Sequence, residues 1–214
     1  MREPAVIVPF KAAEQKSRLS GVLDPSERRR LSLLMLKSVL AAVKKAGLGA
    51  SCYVVSSDRS ALAMVREAGG KAVFEAGDRG VNEAVALGMK RTRSRLCMII
   101  PADLPLLGAA DLELSTRLMD MRADVVISPS RQMDGTNLLL FSRDKPVPLS
   151  YDRNSFWNHL GSCSRLGYSV AVYTGRGAVF DVDTAGDLRL LAGMPKRTAA
   201  VEMARRAIRS WARS

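Results

Sequence analysis

Cysteine and histidine are scarce in this chain of 214 residues. It has three cysteines, Cys52, Cys97 and Cys163, and one histidine, His159. The cysteines lie among apolar residues and lack the paired spacing of a zinc site or a disulfide framework, so we expect reduced core residues of a cytoplasmic protein. His159 has no serine or cysteine partner in the pattern of a nucleophilic triad, which favours a structural role on a helix over a catalytic one.

Long apolar runs and the common phosphate-binding motifs are also absent. No segment approaches the roughly 18 apolar residues of a membrane span, and the apolar run in MREPAVIVPF is too short for a signal peptide. The sequence lacks G-x-x-x-x-G-K-[ST], and the glycines of GLGAS at 47–51 precede a predicted strand instead of following one. P-loop and NAD-binding enzymes are therefore disfavoured.

Apolar residues, by contrast, make up 47% of the chain, enough for one well-filled core, so we expect a single domain over residues 1–214. Strands alternate with helices, a pattern that predicts an α/β layer structure with a largely parallel sheet. After residue 142 the pattern loosens, and we expect the second half to add an antiparallel flap or edge. The predicted strands are 5–9, 51–57, 71–75, 95–100, 124–129, 136–141, 168–174 and a short one before Asp181.

The net charge is +12, and many of the excess basic residues lie near the C-terminus. Residues at about 196–213 have helical periodicity and predict a basic amphipathic helix with Ala199, Met203, Ala207 and Trp211 on its buried stripe. The alternative is an RNA-binding or membrane-surface tail. Trp211 is the only aromatic residue among the arginines there, which argues against a nucleic-acid partner.

Acidic residues follow two predicted strands. Asp103 in PADLPLL lies just beyond the apolar strand 95–100, between Pro101 and Pro105, and Asp181 and Asp183 leave an extended segment on the same side. Each could be an ordinary turn or cap residue. Because the carboxyl ends of parallel strands open on one crevice, together they predict a magnesium site that also binds nucleotide phosphates.

A basic loop follows the first strand, where α/β folds bind phosphates: PFKAAEQKSRLS contains Lys11, Lys16 and Arg18. The alternative is a solvated basic loop. With an anionic phosphate as the attacking group no proton has to be removed, so catalysis reduces to alignment and charge neutralisation. The residues therefore favour nucleotidyl transfer.

An ordered series of motifs, VPFK, KSRLS, VVSSD, VNEA, PADLPLL, GTN, NSF and DVDT, resembles the 2-phospho-L-lactate guanylyltransferase family of coenzyme F-420 biosynthesis over about residues 5–190. The resemblance implies a Rossmann-like, GT-A-like nucleotidyltransferase fold, a three-layer sandwich with a mostly parallel mixed sheet. It implies that GTP and a phosphorylated three-carbon acid give a guanylylated diphosphate and pyrophosphate.

The resemblance also implies residue roles. Asp103, Asp181 and Asp183 would hold magnesium, and Lys11, Lys16 and Arg18 would face the triphosphate and act in catalysis with Asp103. Ser57 and Asn82 would lie near the base and ribose; Thr136, Asn137 and Ser155 would bind the acid. One departure concerns Asp152 in YDRNS, near a position where the family often has glycine.

Two other functions remain open from sequence: a nucleotidyltransferase acting on a molybdopterin or sugar phosphate, and a basic RNA-binding protein. The side chains do not distinguish 2-phospho-L-lactate from phosphoenolpyruvate or a phosphoglycerate. The oligomeric state is open as well, because the C-terminal helix could pack on its own domain or on that of a partner in a homodimer.

Overall fold

The computed structural model describes residues 3–11, 16–77, 79–195 and 198–213. In this part of the chain seven strands form one sheet between helices. The strands are β1 (Ala5–Pro9), β2 (Cys52–Ser56), β3 (Lys71–Phe74), β4 (Leu96–Ile99), β5 (Val125–Pro129), β6 (Thr136–Ser142) and β7 (Val170–Val172). The helices are α1 (Pro25–Lys45), α2 (Arg59–Glu67), α3 (Val81–Lys90), α4 (Ala109–Asp120), α5 (Ser155–Arg165), α6 (Ala185–Ala192) and α7 (Ala199–Trp211), with short 3₁₀ turns at Ser17–Leu19 and Gly49–Ser51.

The strand order is β3-β2-β1-β4-β6-β5-β7, and β6 alone runs antiparallel to its neighbours. The second half therefore does add an antiparallel strand, but the prediction that it lies at an edge was wrong. The first six residues of β6 are all buried, and a strand that is apolar on both faces is most stable in the interior of a sheet. The edge strand that the second half contributes is β7, which pairs parallel with β5.

The strand predicted just before Asp181 does not form. Ala178, Phe180 and Val182 are buried in alternation, as expected of a strand, but they do not pair with the sheet. Phe180 and Val182 pack on α1, α6 and α7, and Ala178 belongs to the apolar cluster that contains α1, α2 and α4. The amides of Ala178 and Val179 donate to the carbonyl of Gly175 in a turn. The two-residue alternation still directs Asp181 and Asp183 away from this core.

Apolar clusters lie on both faces of the sheet. One face packs against α1, α2 and α4, and the other against α3 and α5. Helix α1 begins at a capping box, in which Asp24 Oδ1 accepts from the Glu27 amide at 2.9 Å and Glu27 Oε2 accepts from the Asp24 amide at 3.0 Å. This cap fixes where α1 starts, and with it the positions of Ser32 and Met35, which line the cleft described below.

The C-terminal helix docks on the chain itself, against α1 and α6. The predicted stripe is correct in part: Ala207 is buried and Met203 packs against the core, whereas Ala199 and Trp211 are exposed. Ala200, Val201 and Ala204 complete the buried face. Arg205 donates to the carbonyls of Ala192 and Met194 at the end of α6, and the Arg189 guanidinium lies 4.4 Å from the Trp211 ring. Residues 196–197, at the predicted start of this helix, are outside the described residues.

None of the helices in the described segments is long and apolar enough to cross a membrane.

Candidate active site

A cleft opens where β1 and β4 end. It encloses about 240 Å³. Its walls are formed by Phe10, Lys11 and Lys16, by the loop after β4, by helix α1 and by the segment before α6. The lining side chains include two lysines and two aspartates: Lys11, Lys16, Asp103 and Asp183. Arg18 is exposed and is not among the lining residues.

Asp103 is held by the short loop after β4. On its C-terminal side Leu104 and Leu107 are buried, and the Leu107 amide donates to the Leu104 carbonyl at 3.2 Å. On its N-terminal side the Ile100 amide donates to the Ile7 carbonyl at 3.0 Å and continues the pairing with β1. The loop is thus anchored in the core on both sides, which fixes the position of the carboxylate.

The ammonium group of Lys16 lies between two carboxylates. It donates to Asp103 Oδ2 at 2.7 Å and to Asp183 Oδ1. Burial alone would lower the pKa of Lys16, but the negative charges of Asp103 and Asp183 and their hydrogen bonds raise it above its ordinary value. Lys16 is therefore a fixed cation in the cleft. It has a left-handed backbone (φ 72°), which is uncommon for a residue with a side chain.

Asp181 belongs to the same acidic group. Burial, and then the charge of Asp103, raise its pKa to about 6, while a hydrogen bond from Asn137 Nδ2 at 3.3 Å opposes the shift and the charge of Asp183 adds to it. The charge of Asp103 therefore acts on Asp181 although 78 positions of sequence separate the two residues. The predicted convergence of the two acidic segments is what the structure has.

Two residues that the sequence reasoning missed hold Asp183 in place. The buried carboxylate of Asp187 accepts from the amides of Asp183 at 3.2 Å and Thr184 at 2.8 Å, and Arg131 pairs with it from the other side. Burial alone would raise the pKa of Asp187, but a hydrogen bond from the Thr184 hydroxyl at 2.8 Å, together with those from the Thr184 amide, Arg131 and the Asp183 amide, keeps it below its ordinary value. The capping-box spacing of Thr184 and Asp187 could have been noticed in the sequence; nothing in the sequence points to Arg131.

The arrangement suits a divalent cation only after Lys16 moves. Within the described ranges, no group of three or more histidine, cysteine, aspartate or glutamate side chains is placed to hold a metal ion as it stands. Two observations nevertheless fit a cation there: the Lys16 ammonium already occupies such a position, and Asp103 Oδ1 is buried without a hydrogen-bond partner. A hard cation prefers the carboxylate oxygens available here.

The residues predicted to bind the acid lie at the starts of β6 and α5. Thr136, Asn137 and Ser155 are all buried. Thr136 Oγ1 is 2.9 Å from His159 Nδ1, and Asn137 contacts Asp181 as described above. Ser155 begins α5 after Asn154, which has a left-handed backbone (φ 58°). The starts of β6 and α5 thus lie at the same end of the sheet as Asp103, where β4 ends.

The residues predicted near the base and ribose are less enclosed. Ser57 follows β2 and is exposed. Asn82, in the first turn of α3, accepts from the Tyr151 amide at 2.8 Å and has its amide nitrogen 3.4 Å from Asp152. Its side chain thus anchors the loop before α5, a contact that the sequence did not suggest. Asp58 caps α2 and pairs with Arg29, a structural role.

The sheet order is that of the nucleotide-diphospho-sugar transferase fold. A crystal structure described as a nucleotide-diphospho-sugar transferase from Desulfovibrio desulfuricans matches the fold with a TM-score of 0.77 at 17% identity, covering 99% of both chains. The predicted fold class is confirmed.

Within this class, the chain belongs to the family described as "Guanylyl transferase CofC like", whose model matches residues 4–206. It is 35% identical over 189 residues to a phosphoenolpyruvate guanylyltransferase of Rubrobacter xylanophilus, covering 86% of this chain and 91% of the relative. It is 34% identical over 192 residues to a 2-phospho-L-lactate guanylyltransferase of Methanothermobacter thermautotrophicus, covering 88% and 83%. The family predicted from the motif series is confirmed, and the chain is an enzyme of nucleotidyl transfer.

Proposed function

We propose that this enzyme joins GMP from GTP to the phosphate of 2-phospho-L-lactate or of a related phosphorylated three-carbon acid such as phosphoenolpyruvate, releasing pyrophosphate, as a step of coenzyme F-420 biosynthesis. The names of its relatives support the substrates. The observation that supports the chemistry is the meeting of Lys16 with Asp103 and Asp183 in a cleft beside Asp181. Three free, buried cysteines suit a reducing compartment such as the cytoplasm.

Magnesium is part of this proposal. Asp103, Asp181 and Asp183 would hold the ion, which when bound neutralises phosphate charge and aligns oxygens of the nucleotide and the acceptor. Lys16 then has to exchange its carboxylate partners for phosphate oxygens. Since it keeps its positive charge, it can stabilise the negative charge that develops on the departing pyrophosphate.

The reaction needs no general base. An oxygen of the acceptor phosphate forms a bond to the α-phosphorus of GTP, and the bond from that phosphorus to the oxygen bridging to the β-phosphate breaks, so pyrophosphate leaves. The attacking oxygen is already anionic and needs no base to remove a proton. This agrees with the burial of His159, the single histidine of the chain.

The other predicted residues have supporting positions in this scheme. Lys11 lines the cleft and would bind the triphosphate. Arg18 is exposed and does not line the cleft, so in this proposal it would have to reach the triphosphate from outside the cleft. Ser57 and Asn82 follow β2 and β3 and would lie along the nucleoside. Thr136, Asn137 and Ser155 would contact the acid.

The test is pyrophosphate release by the purified protein with GTP or ATP and each of three acids: 2-phospho-L-lactate, phosphoenolpyruvate and 3-phosphoglycerate. We expect release with GTP and at least one acid, its loss in EDTA, and its return with excess magnesium. Phosphorus NMR should detect the new diphosphate linkage. If no acid supports pyrophosphate release with magnesium present, or if the product contains no diphosphate linkage to the acid, the proposal is wrong.

A further inference from the structure

His159 joins three separate segments around Thr136 and Ser155, two of the residues proposed to bind the acid. It lies on α5 and is 0% exposed. Its Nε2 is 3.1 Å from the amide nitrogen of Ser150, and its Nδ1 is 2.9 Å from the hydroxyl oxygen of Thr136. One imidazole therefore connects the start of β6, the loop before α5 and α5 itself.

These two contacts fix which ring nitrogen is protonated. A backbone amide can only donate, so Nε2 must accept from Ser150 and cannot carry a hydrogen. Burial lowers the pKa of His159 to about 4, so the ring is neutral at physiological pH and its hydrogen is on Nδ1. His159 Nδ1 consequently donates to Thr136 Oγ1.

The tautomer determines what Thr136 can do. Since Oγ1 accepts from His159, the hydroxyl hydrogen must point elsewhere. His159 is its only side-chain hydrogen-bond partner among the described residues. Thr136 therefore has a donor in reserve, next to Asn137, whose amide already contacts the acidic group.

The loop that leads to Ser155 is held at two successive amides. His159 takes the Ser150 amide and Asn82 takes the Tyr151 amide at 2.8 Å. The Tyr151 ring also packs edge-on against the His159 ring, with 5.0 Å between the centroids. The loop then reaches the left-handed residue Asn154 and the start of α5, so the placement of Ser155 depends on the same imidazole.

We propose that His159 is a positioning residue for the phosphorylated acid: it directs the Thr136 hydroxyl toward an anionic oxygen of the acid, and it fixes the loop that presents Ser155. This inference rests on the proposed function. Its advantage is preorganisation, because the donor is aimed before the acid binds and no ordering is needed at the moment of reaction.

Two substitutions separate the two hydrogen bonds. In His159→Gln the side-chain oxygen can still accept from Ser150, but the donor to Thr136 is lost; in His159→Asn an amide can replace Nδ1–H, but the Ser150 contact is lost. We expect His159→Gln and Thr136→Val each to raise KM for the acid by about tenfold or more, the loss typical of a hydrogen bond to a charged group. KM for GTP should stay within about twofold in both.

The controls test coupling. Thr136→Ser keeps the hydroxyl and should restore KM for the acid to near the wild-type value, and His159→Asn should raise it less than His159→Gln. The double variant Thr136→Val/His159→Gln should have no higher KM for the acid than Thr136→Val alone, because both substitutions remove the same hydrogen bond from Thr136 to the acid. Any of three results would overturn the inference. The first is that the two substitutions multiply their effects on KM in the double variant; the second is that KM for GTP and KM for the acid increase equally. The third is a folded His159→Gln protein whose KM for the acid is unchanged.

A second measurement does not depend on turnover. Because the chain has one histidine, nitrogen-15 NMR of histidine-labelled protein reports this ring without assignment. We expect the Nδ1–H tautomer, no titration above about pH 5, and a shift of the Nδ1 signal on adding 2-phospho-L-lactate or phosphoenolpyruvate. An Nε2–H tautomer or a solvent-like titration near pH 6.5 would refute the geometry. If wild-type protein turns over no acid, the proposed function fails while this spectrum still decides the role of the ring in the fold.

Discussion

The ammonium group of Lys16 lies 2.7 Å from Oδ2 of Asp103, although 87 positions separate the two residues in the sequence. Lys16 also contacts Asp183, so it neutralises carboxylates from both acidic segments of the cleft. In the absence of any other cation this contact offsets the repulsion between the aspartates. Lys16 and a divalent ion would therefore compete for the same carboxylates.

Replacing Lys16 by Met should expose that competition. Removing one partner of a buried ion pair costs about 3–5 kcal/mol, and since the carboxylates here are partly exposed we expect a loss of about 1–3 kcal/mol of unfolding free energy in EDTA. Magnesium should recover most of that loss, so Lys16→Met should respond to magnesium more strongly than wild type. The measurement is thermal unfolding with and without the metal. An equal magnesium response in both proteins would show that Lys16 and the ion do not share a site.

Asp103→Asn should abolish metal-dependent turnover while the fold is retained. The amide keeps the shape of the carboxylate but removes one negative charge, which weakens binding of a hard cation and releases Lys16 from one of its two partners. We expect pyrophosphate release to fall by about 100-fold or more, with a thermal midpoint within a few degrees of wild type. Asp144→Asn, at an exposed ion pair with Arg95, is the matched control and should keep full activity. A large loss of stability in Asp103→Asn would instead indicate a structural aspartate.

Much of the fold could be predicted because its signals are local. The capping box of Asp24 and Glu27 and the alternation of strands and helices depend on neighbours in sequence. The position of β6 between β4 and β5 could not, since pairing partners are chosen by tertiary packing and an apolar strand fits more than one interior position. For the same reason Val182 shows strand-like alternation without pairing in the sheet.

The site was predictable to a similar degree. The acidic segments follow strand ends, so Asp103 could be expected near Asp181 and Asp183. The Lys16 side chain contacts both acidic segments, Asp103 at 87 and Asp183 at 167 positions away. Asn82 anchors a loop through the Tyr151 amide, 69 positions away. Such contacts leave no periodic pattern in a single sequence.

The buried His159 should make stability depend on pH. Burial lowers its pKa to about 4 from the ordinary 6.5 of histidine, so the unfolded chain binds the proton more readily. Stability from this residue is complete above pH 6.5 and is lost as pH falls to 4, by about 3 kcal/mol in total. Asp181, with its pKa raised to about 6, acts in the opposite sense over much of the same range.

Because of that opposition, the measurement has to be a difference between proteins. Urea unfolding of wild type and His159→Gln at pH 7 and pH 4.5 should show the glutamine variant losing less stability on acidification, since it has no ring to protonate. Asp181 contributes to both proteins and cancels. If the two lose the same free energy, His159 is not held neutral by the fold.

Asp187→Ala should affect activity through Asp183. The substitution removes the acceptor of the Asp183 and Thr184 amides and leaves Arg131 without its partner. We expect a loss of about 1–3 kcal/mol of unfolding free energy and, in addition, a higher magnesium concentration for half-maximal turnover. Asp24→Ala removes a cap of α1 on an exposed face and should lower the stability without changing the magnesium requirement. Measuring both variants by unfolding and by magnesium titration of pyrophosphate release separates the two effects. If the magnesium requirement of Asp187→Ala is unchanged, the role of Asp187 is only to cap α6. The position of Asp183 would then have to be set by Lys16 alone.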